Sequence, residues 1–226
     1  MINRNFKDFK FHHKRKQNQI LFISKKINKD KEVLNLINNF LIEKNSFVFE
    51  SVEKGFIKGR YTIFGKKPDK IWEFNNNKSY TINKFNKRKY ISGEPRKILE
   101  SLIENFKFKT PKNLPPICSL LVGYFSYDII RYIEKIPDKC NDDLKIPDIR
   151  LIRPKTIIIH DNLRKKLYFI INCFADQKIT NYKKYYNDQL HKIKLLKSLA
   201  FNYQPSKTKQ YKNKNKIIVK SNISKN

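Results

Sequence analysis

Glu50, Ser51, Arg60 and Thr62 put a carboxylate, two hydroxyls and a cation into one short stretch, Ser46 to Gly65 (SFVFESVEKGFIKGRYTIFG). Such a set can accept hydrogen bonds from an ammonium and donate them to a carboxylate, the two ends an amino-acid ligand presents. The stretch reads as strand, loop, strand. Phe47 to Val52 and Tyr61 to Phe64 are rich in β-branched and aromatic residues, and Gly55 and Gly59 lie between them. In the first run Phe47 and Phe49 share one face and Val48 and Glu50 the other, so Glu50 stands where a half-buried sheet would place an apolar group. Either the acid has a partner, or this is a sheet edge with its carboxylate in solvent.

The elements that must position these residues follow from periodicity. Gln19 to Ser24 reads as a buried strand, and Asp30 to Lys44 as an amphipathic helix capped by Asp30. Ile71 to Phe74 and Ser79 to Ile82 bracket an Asn-rich turn, with Trp72 a core aromatic. Lys84 to Lys89 reads as a solvated loop, and Pro95 opens a helix running to Phe106. Leu120 to Phe125 is a buried strand in which Gly123 admits a close backbone neighbour; Asp128 can cap a short helix with Arg131 and Glu134 on one face. Asp142 to Pro154 reads as irregular, followed by strands Lys155 to His160 and Leu167 to Phe174 and a basic helix, Ile179 to Leu199. His160 beside Asp161 has no matching nucleophile and reads as a turn histidine, while His12-His13 sits in a solvated basic segment, Met1 to Gln17. The sum is an α+β fold of antiparallel β-sheets forming part of a β-sandwich with helices packed outside.

Three strings, FVFESVEKGFIKGRYTIFG, VGYFSYDIIRYIEKIP and PDIRLIRPKTIIIHD, resemble in order the amino-terminal half of anthranilate synthase component I, from about Gln19 to Cys173. The resemblance implies an enzyme that converts chorismate and glutamine-derived ammonia to anthranilate and pyruvate in tryptophan biosynthesis. It implies a tryptophan feedback site at Glu50, Ser51 and Thr62, where Phe49 replaces a leucine and Thr62 a serine of the family pattern. It further implies Mg2+ in the full-length enzyme, a glutamine amidotransferase subunit (component II) as partner, and L-tryptophan as inhibitor. The family's Thr-Pro pair is absent from Asp30-Lys31-Glu32-Val33, and Cys118-Ser119 stand in place of Gly-Gly. Tyr124, Phe125 and Tyr127 read as packing groups. The magnesium-binding glutamates and the His-Gly-Thr and Asn-Pro-Ser-Pro-Tyr-Met segments have no counterpart, so no catalytic or metal residue is assigned in this chain, and alone it is expected to be inactive. The organisation expected is a basic leader (1–18), the amino-terminal domain (19–203), and a mobile tail (204–226) leading towards a missing chorismate-binding domain. Aminodeoxychorismate synthase component I shares the Gly123 to Asp128 style of motif; Glu50-Ser51 and Pro147 to Arg150 favour anthranilate synthase.

A net charge of +30 raises nucleic-acid binding as another class of function. The excess is mostly Lys, spread along the chain with abundant Asn and Ile, which an A/T-rich genome accounts for, and the Arg of specific recognition is scarce. Nucleic acid is therefore disfavoured as a partner. Cys118, Cys140 and Cys173 are too scattered for a disulfide framework, and no signal peptide or membrane span is visible, which together predict a cytoplasmic protein.

Overall fold

The structure, a computed structural model, describes residues 3–27, 33, 36, 41, 43–50, 59–83, 85–137 and 141–201. Its frame is two long strands, β3 (Tyr61–Asn75) and β7 (Ile149–Asp161), paired antiparallel from Tyr61 opposite Asp161 to Phe74 opposite Ile149. The register shifts between Pro68 and Lys70, with Pro154 opposite Pro68. Proline carries no N–H for the ladder, so two facing prolines leave a break that bends the pair rather than ending it. The sequence reading placed Pro154 at the end of an irregular connection; the strand instead begins at Ile149 and runs through that proline.

Shorter strands fill in on either side of the bend. Before it, β2 (Phe47–Glu50) pairs with β3, and β8 (Lys166–Cys173) joins β7 to β1 (Gln19–Lys26). Beyond it, β4 (Lys78–Ile82) pairs with β3, β5 (Arg88–Ile91) with β4, and β6 (Val122–Phe125) with β7. The result is an eight-stranded antiparallel sheet among the described residues, with the helices outside, which is the α+β class expected. The β3–β4 turn is Asn76-Asn77, both at positive φ (48° and 59°), the two-residue turn whose twist matches a hairpin. Arg88 and Lys89, read as loop, lie in β5.

One face of the first half is packed by α1 (Phe6–Lys14) and α3 (Tyr182–Phe201), the latter burying Ile193, over Leu21, Phe64, Ile158 and Phe169. The opposite face buries Ile157, Ile159, Tyr168 and Ile170 against Leu114 and Cys118. At the far half α2 (Pro95–Asn105) lays Ile98, Leu99 and Leu102 over Trp72, Phe74, Ile149 and Leu151. α1 replaces the solvated segment expected at the amino terminus. Asn5 caps it by accepting from the Asp8 amide at 2.9 Å, and fully buried Phe9 packs on the rings of Tyr185 and Tyr186. Of the helix expected over Asp30 to Lys44, Val33 and Leu36 are helical and buried, while Asp30 itself lies outside the described residues.

Gly123 fulfils its reading as a close-approach position, since any Cβ at this residue would collide with the Arg150 carbonyl oxygen. The helix after it is a 3-10 turn, Tyr127–Tyr132, and Arg131 pairs with Asp128 at 3.2 Å, not with Glu134. Tyr124, Phe125 and Tyr127 are not packing groups: they are 38%, 50% and 91% exposed. No helix among the described residues is long and apolar enough to cross a membrane.

Candidate functional site

Register brings the predicted site residues into one row. Glu50 lies opposite Thr62 on β3, Thr62 opposite His160 on β7, and His160 opposite Leu167 on β8. Directly opposed residues of antiparallel strands point to the same face, so the row runs across the helix-covered face from rim to interior. Thr62 and His160 are each 2% exposed, whereas Glu50 is exposed at the end of the edge strand. The carboxylate thus lies exposed at the sheet edge, opposite a buried threonine. Ser51, the third residue of the expected set, lies outside the described residues.

Arg60 is not part of this set. Its Nε and one terminal nitrogen donate to the two oxygens of Asp161 at 3.1 and 3.0 Å, and its guanidinium lies 4.8 Å from the Tyr61 ring centre. The Arg164 amide donates to the same carboxylate at 3.1 Å, while the Asn162 amide donates to the Arg60 carbonyl at 2.8 Å. Burial alone would push the Asp161 carboxyl up, but these donors hold it below the usual carboxylate range. The group clamps the start of β3 to the β7–β8 turn and fixes the register that aligns Thr62 with His160. Asp161 is thereby committed to Arg60 on the opposite face of β7 from His160, so the adjacent pair makes no dyad; His160 is a strand residue rather than a turn residue.

Two further charged groups are invisible in the sequence because their members lie far apart along the chain and meet only in the folded sheet. Glu73, buried, accepts from Arg88 at 3.0 and 2.5 Å and from Arg150, which also donates to Asn45 at 3.2 Å. This accounts for Arg150 in the Pro147 to Arg150 motif as a structural cation. At the other side of the bend Arg153 donates twice to Asp69 (2.8 and 2.7 Å) and twice to Asp176 (3.1 and 3.0 Å), with Lys70 on Asp176 at 2.5 Å. Tyr132 donates to Asp148 at 2.7 Å, tying the 3-10 turn to the sheet. The described residues contain no group of three or more His, Cys, Asp or Glu side chains able to hold a metal ion, so the Mg2+ implied by resemblance has no fitting ligands among them.

The model of the chorismate binding enzyme family matches residues 45–226, which takes in the Glu50–Thr62–His160 row and both long strands. The chain belongs to the chorismate binding enzyme family. The match begins within the part read as an amino-terminal domain and continues to the last residue. Among its relatives, anthranilate synthase component 1 of Cereibacter sphaeroides is 34% identical over 164 residues, covering 70% of this chain and 33% of the relative. That of Acetivibrio thermocellus is 29% identical over 197 residues, covering 85% and 39%. A solved structure of anthranilate synthase component I from Streptococcus pneumoniae aligns with a TM-score of 0.47 at 19% identity over 74% of this chain and 36% of that one. The chain thus spans a third to two fifths of the length of the curated relatives named here.

Proposed function

We propose that this chain forms the structural and tryptophan-sensing part of an anthranilate synthase component I. The observation that carries the reading is the row in which exposed Glu50 and buried Thr62 stand directly opposed on β2 and β3. An exposed carboxylate suits an amino-acid ammonium, and a hydroxyl on the neighbouring strand suits the ligand carboxylate or an indole N–H. Ser51, next in sequence to Glu50, supplies the second hydroxyl of the set. The similarity to proteins named anthranilate synthase component 1 supports the wider assignment: chorismate as substrate, anthranilate and pyruvate as products, ammonia delivered by a glutamine amidotransferase subunit, Mg2+ in the full-length enzyme, and a cytoplasmic setting. The chain by itself turns over no chorismate in this reading.

Calorimetric titration of the chain with L-tryptophan tests the sensing role. Saturable heat is expected, weakened about tenfold by Thr62→Val and by Ser51→Ala, each of which removes one hydroxyl hydrogen bond. Absence of heat at millimolar ligand, or equal heat from D-tryptophan and L-phenylalanine, defeats the sensing role. Anthranilate formed by the isolated chain from chorismate and ammonium would overturn the division of labour instead.

A further inference from the structure

Beyond the β3–β7 bend, at the opposite end of β3 from the Glu50 row, a cleft of about 720 Å³ opens between α2 and the segment that links β8 to α3. Its volume is that of a small-molecule pocket. Trp72, Ile98, Leu102 and Phe106 form its apolar side, while Arg153, Lys70 and Asp176 form part of the floor. Arg153 lies 5.7 Å from the Trp72 ring centre and 3.8 Å from that of Phe174, so the indole is backed by a fixed guanidinium.

Charge bookkeeping gives the sign of the ligand. Arg153 and Lys70 are matched by Asp69 and Asp176 through the bonds described above, so the floor is neutral and its cations are held in place. Lys16 and Lys178, which also line the cleft, are exposed, and no carboxylate among the described residues pairs with either. Two uncompensated ammoniums over an aromatic and aliphatic wall suit a molecule with an anionic end and a flat apolar body. We propose that this cleft is a second binding site, for a small aromatic carboxylate, with the ring against Trp72 and the carboxylate at Lys16 and Lys178.

Trp72 is the sole tryptophan of the chain, so its emission reports occupancy directly. The full chain is titrated with benzoate, and with benzamide as an isostere lacking the charge. Benzoate is expected to produce a saturable change in the millimolar range, and the double variant Lys16→Gln with Lys178→Gln to weaken it about fivefold, two exposed charges being worth little more than that. Benzamide is expected to bind more weakly and to be indifferent to the double variant. Both lysines are on the surface, and an unchanged circular dichroism spectrum establishes that the variant is folded. No saturable change with benzoate overturns the proposal. So does a change that benzamide reproduces in full or that the double variant leaves untouched.

Discussion

The clamp between Arg60 and Asp161 offers the sharpest test of how the candidate site is held together. Arg60→Met keeps the length and apolar stem of the side chain but removes both donors to a carboxylate that is 1% exposed. Breaking a buried pair costs about 3–5 kcal/mol because the remaining charge is stranded. Two features reduce that here: Arg60 is itself 26% exposed, and the Arg164 amide still donates to Asp161. The expectation is a loss of about 2–3 kcal/mol at pH 7, read as a shift in the urea midpoint at constant slope. The sign of its pH dependence follows from linkage. In the native protein the Asp161 carboxyl is held below its ordinary range, so its contribution is present above the unfolded value and is lost as pH falls through the folded one. Without Arg60 burial prevails and the folded carboxyl rises above the unfolded value, so the variant recovers stability on acidification relative to the parent. The gap between the two should therefore be widest at neutral pH and narrow steadily on acidification, closing only once the pH has fallen below the ordinary aspartate value of about 4. A gap below about 1 kcal/mol, or one that stays flat on acidification, would refute the assignment of Asp161 as a buried charge held by Arg60.

Three further outcomes are open to direct measurement. Gly123→Ala forces a Cβ into the Arg150 carbonyl and should destabilise the chain by at least about 3 kcal/mol in urea unfolding, a contact with backbone being harder to relieve than one with a side chain. Asn77→Ala places an alanine at φ 59° and should cost about 1 kcal/mol, whereas Asn77→Gly should be neutral or better in the same assay. Burial pushes the Cys173 thiol up to about 11, so Cys173 should stay unmodified by a thiol reagent at pH 8 in the native chain and react promptly in urea, as followed by peptide mapping.

What could be read from the sequence was whatever repeats locally. The alternation of Phe47 to Glu50 placed Glu50 and Val48 on one face, and the pairing with β3 bears this out. The Asn-rich turn after Phe74 and the proline at the start of α2 were visible for the same reason, since turn chemistry is local. α1 was missed because its apolar positions, Phe6, Phe9 and His13, are embedded among lysines and one of the three is a histidine. The true start of β7 was missed because proline is a strand breaker in isolation; only Pro68 across the ladder makes Pro154 tolerable. Arg60 reads as a ligand cation because nothing within its own stretch reveals Asp161, about a hundred residues along the chain. The Arg153 group was unreadable on the same grounds, its acids lying at positions 69 and 176.

The bend also separates the two sites energetically. Thr62 and Trp72 lie ten residues apart on β3, which at about 3.3 Å per residue sets them on the order of 30 Å apart. The register irregularity at Pro68 to Lys70 lies between, where no continuous ladder of hydrogen bonds transmits a shift. Sites at that distance with no shared side chain are expected to act independently. L-Tryptophan at the Glu50–Thr62 row should therefore leave the benzoate affinity read by calorimetry unchanged within about twofold, and Thr62→Val should alter only the first. A benzoate affinity that moves severalfold with saturating L-tryptophan would mean that the β3–β7 pair has two arrangements and passes them through the bend, and the facing prolines would then be a hinge rather than a fixed kink.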